Sequence, residues 1–158
     1  MGRFLKALHQ IGGIGLAGSL AACIVLVATA PTDSLAGYAA VRQGIAAISQ
    51  WLLVPSLAIV LVSGLLAIAA NRAYHDAGWA WIKALLGIVM FEGTLITISG
   101  SARRAAELSA LAAAGEGDPA RLAEVLPTEW GSLWVILALS IANVLVAVWR
   151  PRILRRAS

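Results

Sequence analysis

The chain has 158 residues, of which 60% are hydrophobic and 13% charged, with a mean hydropathy of +0.86. That composition is that of a polytopic membrane protein of one domain and leaves little material for a soluble module. The formal net charge of +4 would suit nucleic acid in a soluble protein, but the basic residues gather at the chain ends, where anionic membrane lipids are the simpler partners. A single cysteine, Cys23, excludes an intramolecular disulfide and any cysteine metal cluster.

Residues 1–30 begin with a basic stretch, Met-Gly-Arg-Phe-Leu-Lys, and continue as an apolar run from Ile11 to the small triplet Ala28-Thr29-Ala30. The outline is that of a signal peptide. Pro31 directly after the triplet is a poor residue for processing, however, and the expectation is a retained transmembrane helix over about 4–30. Gly13-Ile14-Gly15-Leu16-Ala17-Gly18 has the spacing of a dinucleotide-binding turn, which works only between a strand and a helix of a parallel sheet. This chain has no room for such a sheet, so the glycines read as close helix packing or as space beside His9.

Residues 31–43 read as a short polar loop, and a second span follows over about 44–70, softly interrupted by Pro55. The polar turn 71–78 is tight enough to make spans two and three antiparallel neighbours. The third span, about 79–101, carries Lys83 and Glu92. At 1.5 Å per residue Lys83 lies about 6 Å and Glu92 about 20 Å into it, the latter near mid-bilayer, and about 900° of helical rotation puts them on opposite faces. Lys83 heads a stripe of Gly87, Met90, Thr94, Thr97 and Ser101, a pattern that suits packing against other helices. Its stem is also close enough to the helix end to reach toward the head groups. Glu92 has no such escape, and an ionisable residue at that depth is by default a functional feature. Its face is expected to form an intramembrane interface, with another helix of the bundle or with a second chain.

The third helix is expected to continue past the membrane to about Ala114, where Gly115-Glu116-Gly117 breaks it. Asp118-Pro119 then offers an N-cap and a first-turn proline for a short extramembrane helix that stops by Pro127. Thr128-Glu129 can cap a fourth span over 130–149, with tryptophans at both ends and a basic tail beyond. The fold expected is therefore all-α, a transmembrane four-helix bundle with an extended third helix.

Four spans place both termini on one side, together with Arg3, Lys6, Arg72, Arg150, Arg152, Arg155 and Arg156, against Arg42, Arg103, Arg104 and Arg121 opposite. The excess of basic residues predicts cytoplasmic termini in a bacterial inner membrane. In that frame His9, Lys83 and Asn143 lie about 7, 6 and 9 Å from the cytoplasmic ends of their helices and share one layer. Gly12 and Gly13 follow His9 on its own face and would leave space for a flat ligand.

Lys6-Ala7-Leu8-His9 and the segment Trp79 to Gly87 around Lys83 resemble the corresponding parts of the HemJ-type membrane protoporphyrinogen oxidases. That grouping also holds the CopD-like copper-resistance domains and uncharacterised four-helix integral membrane proteins, which this chain resembles most over roughly residues 4–100. The resemblance implies a helical bundle that binds haem b near the cytoplasmic face. His9 would ligate the haem iron, and Lys83 would pair a propionate or act as the other ligand. Span one lacks the Trp-x-x-Gly-Leu run of the oxidases and the spans hold no second histidine, so no enzymatic activity is assigned. Two other function classes fit the composition: an accessory or assembly subunit of a larger membrane complex, and a transporter built as a homo-oligomer.

Overall fold

Four apolar runs become four helices long and apolar enough to cross a membrane, and the computed structural model, which describes residues 3–75 and 77–149, has no strand among them. Helix α1 is Arg3–Thr29, α2 is Leu35–Ala69, α4 is Gly78–Ala113 and α5 is Pro119–Trp149. A single turn of helix, α3, Arg72–His75, occupies the tight connection between α2 and α4. The basic tail beyond Trp149 lies outside the described residues.

Two boundaries differ from expectation, each for a local reason. The second span starts at Leu35 instead of residue 44, because Ser34 caps it by accepting from the Gly37 N–H at 3.1 Å. Arg42, whose charge argues for a loop, instead points inward and pairs with Glu129 of α5. The expected break at Pro127 is also absent: α5 runs unbroken from Pro119, capped by Asp118, whose Oδ1 accepts from the Ala120 N–H at 2.9 Å. Proline removes one backbone donor and crowds the carbonyl four residues earlier. Pro127 is on the exposed side of α5, where that carbonyl can turn outward. Thr128-Glu129 therefore caps nothing.

Pro55 perturbs α2 in a different way. The turn before it widens into a π-helical segment, Ser49–Leu53, in which the Val54 N–H bonds the Ser49 carbonyl. The wider turn absorbs the crowding that the proline ring imposes on the preceding carbonyls. A second π-helical segment, Thr94–Ser99, lies within α4. The extension of α4 beyond it ends where expected, with Gly115 at a φ of 79° closing the helix.

Helix α1 packs most closely on α2, and the glycines explain how. A Cβ at Gly12 would stand 2.9 Å from Ile59 Cγ2, and one at Gly15 would stand 2.3 Å from Ser56 Oγ. Small residues at this spacing let two backbones approach, and in lipid such packing is a main source of helix association. The rest of the core is filled by Leu20, Cys23, Ile45, Leu53, Leu57, Met90, Ile98 and Leu133, drawn from all four long helices. A groove lies between α1 and α5, running from His9 and Asn143 at the end of the bundle where the chain begins, here the near end, to Val25 and Trp134 farther along.

Candidate functional site

His9 stands near the start of α1, and its ring lies against α2. Nδ1 is 3.1 Å from the Val60 carbonyl and 2.9 Å from Ser63 Oγ. A carbonyl only accepts, so Nδ1 carries the hydrogen and donates it. Ser63 in turn donates its hydroxyl to the Ile59 carbonyl at 2.6 Å, leaving its oxygen free to accept from the ring. In the neutral imidazole this arrangement leaves Nε2 as a bare acceptor, and it has no hydrogen-bond partner among the described residues. The ring lies over Gly64, where a Cβ would sit 3.6 Å from His9 Cε1, an ordinary van der Waals contact.

Lys83 reaches the same place from α4. Its Nζ is 3.5 Å from the backbone carbonyl of Asn143 on α5, and no carboxylate among the described residues lies within ion-pair distance of it. The Asn143 side chain contributes a buried Oδ1 without a hydrogen-bond partner. The three residues that the sequence places in one layer thus meet in space, each from a different helix. They border two hollows: one of about 660 Å³ along the groove between α1 and α5, and one of about 170 Å³ toward Tyr74 and Trp79. The larger has the size of a small-molecule site and walls that are mostly apolar, including Leu16, Leu57, Met90 and Leu137.

The glycines beside His9 divide between two tasks. Gly13 lines the larger hollow with no atom within 4 Å of its Cβ position, as a ligand-facing glycine should. Gly12 does not: it is buried against α2, because a one-residue step turns the helix face by about 100°. Its role is packing. Gly87 and Met90, below Lys83 on the expected stripe, are buried as a seam requires.

Glu92 is exposed on the outside of the bundle. No other helix of this chain covers it, which removes one of the two interfaces expected for it.

A second polar cluster was not evident in the sequence. Arg42 Nη1 donates to Glu129 Oε2, and Arg42 Nε and Nη2 donate to Tyr38 Oη at 2.9 and 2.8 Å. The two charged side chains are 3% and 1% exposed. The available signal is local: Tyr38 and Arg42 are four apart, hence on one helix face. It lies at the opposite end of the bundle from His9. Comparison of the chain with known protein families, with curated proteins and with solved structures finds no match.

Proposed function

We propose that the protein is a membrane-embedded tetrapyrrole-binding protein, with haem b held at the His9 end of the groove between α1 and α5. The observation that carries this reading is the His9 ring: its Nδ1–H is anchored by the Val60 carbonyl and Ser63, while Nε2 is left bare beside a cavity. Metal-ligating histidines are held in this way, the second ring nitrogen donating to a carbonyl that fixes tautomer and orientation. Lys83 supports the reading, being a cation without a carboxylate partner among the described residues, positioned to pair an anionic edge group. The apolar walls suit a macrocycle. When bound, haem would supply one-electron chemistry at its iron. The chain's own part is to ligate through His9, neutralise through Lys83, and hold water away with Leu16, Leu57 and Met90. The distribution of basic residues orients this end toward the cytoplasm of a bacterial inner membrane.

The test is an absorption spectrum of protein purified in mild detergent after expression with excess haem. A Soret band is expected, lost in His9→Ala and shifted in Ser63→Ala, which loosens the ring without removing the ligand. Absence of a Soret band in the wild type, or a band indifferent to His9→Ala, would overturn the reading.

A further inference from the structure

The residues that α4 turns out of the bundle follow a seven-residue repeat. Leu85, Ile88, Glu92 and Leu95 are spaced by three, four and three, and all are exposed. Met90, on the opposite side of the same helix, is 1% exposed and belongs to the core. In heptad terms Leu85 and Glu92 hold a positions and Ile88 and Leu95 hold d positions, with the exposed Val89 and Ile96 flanking the seam at e. The stripe ends inside the second π-helical segment, which holds Leu95 and Ile96, and beyond it Ala102, Ala105 and Ala106 are buried.

Apolar side chains facing outward are ordinary on a helix surrounded by lipid, so they identify no partner. Glu92 is different. It sits about 20 Å along α4, among leucine and isoleucine, with no hydrogen-bond or ion-pair partner among the described residues. Hydrocarbon offers a carboxyl nothing to bond, and a polar group at that depth demands one.

We infer that this face of α4 is the two-fold interface of a homodimer, in which the Glu92 side chains of two copies meet and hydrogen-bond to each other. Copies inserted by one route share one orientation, so their two-fold axis runs along the membrane normal and α4 runs parallel to its counterpart. In a parallel pair a positions face a positions, which brings residue 92 against residue 92 in a single layer. A carboxyl pair is self-complementary, because each carboxyl group offers an O–H donor and a carbonyl acceptor to the other. The layers above and below pair leucine and isoleucine with their own kind, so the whole stripe complements itself, as an isologous contact requires. One polar residue at a single a position also sets the register of such a pair. A partner of different sequence would instead need a donor of its own at that level.

The inference is independent of any cofactor, and it is tested by counting subunits of the full chain in lipid bilayers at low protein density. Wild type and Glu92→Gln should both be dimers, since a carboxamide pair also supplies donor and acceptor. Glu92→Leu should dissociate at least about tenfold more readily, because it loses the interhelical hydrogen bonds and keeps only packing. Unchanged helicity and thermal midpoint in Glu92→Leu, expected at an exposed site, separate lost association from lost folding. In a Cys23→Ala background, Ile88→Cys should form a disulfide-linked dimer on mild oxidation. Val62→Cys, on α2 and more exposed still, should not. A monomeric wild type, a dimer unaffected by Glu92→Leu, or equal cross-linking at residue 62 would each overturn the inference.

Discussion

Glu129→Leu removes one half of a pair that is 3% and 1% exposed, and the structure sets the size of the loss. Arg42 would keep Tyr38 Oη as acceptor for Nε and Nη2, but Nη1 would be left buried with nothing to bond. Breaking a buried ion pair from one side costs about 3–5 kcal/mol, since the remaining charge stays desolvated and unpaired. Against a typical net stability of about 5–15 kcal/mol, that is enough to loosen the junction between α2 and α5. Glu129 Oε1 has no partner even in the intact pair, so the desolvation of the carboxylate is only partly compensated. Replacing both charges by apolar side chains, Arg42→Met with Glu129→Leu, is therefore expected to recover most of the loss. Equilibrium unfolding of the two single variants and the double variant in mixed micelles measures this directly, about 1.4 kcal/mol for each tenfold change in the folded ratio. A single-variant loss below about 1 kcal/mol, or a double variant equal to the sum of the singles, would show that the pair is solvated and uncoupled.

Gly15→Val should destabilise the bundle by about 1–3 kcal/mol through overpacking against Ser56, whereas Gly13→Ala, with open space around its Cβ position, should be neutral or gain up to about 1 kcal/mol of helix propensity. Equal thermal shifts for the two variants in detergent would mean that the glycines do not divide between seam and cavity. Reporter fusions after Ser158 and within 115–120 should report cytoplasm and exterior respectively, and the reverse result would overturn the orientation on which the cytoplasmic assignment of the His9 site rests.

The four spans are legible in the sequence because apolar runs of this length in a chain this hydrophobic pack stably only as membrane helices. The near-end site is legible for a related reason. His9, Lys83 and Asn143 lie at similar distances from the ends of their own helices, so antiparallel packing alone brings them to one level. The faces of single glycines are harder to assign, because they depend on which neighbour α1 meets: Gly12 and Gly13 differ by one step, and the sequence does not say that α2 covers one of them. Arg42 is illegible for the opposite reason. Its partner is 87 residues away, and a charge beside Gln43 reads as loop until that distant carboxylate is seen to reach it. Glu129 is misread with it, as a cap for a helix that in fact begins at Pro119.

Unpartnered polar atoms do not by themselves single out the His9 end of this bundle. Ser49, Thr94 and Glu129 each bury one, as Asn143 does. What distinguishes Asn143 is its surroundings: it borders both near-end hollows, while none of the other three lines either. The charges divide in the same sense. At the far end Arg42 is closed upon Glu129 and Tyr38, a cluster complete within the chain apart from one carboxylate oxygen. At the near end Lys83 has only a 3.5 Å approach to a backbone carbonyl, and His9 has one ring nitrogen anchored and one bare. Both groups are only part-buried and open toward a shared hollow, where a bound ligand with an anionic edge would have the imidazole Nε2 on one side and the ammonium on the other.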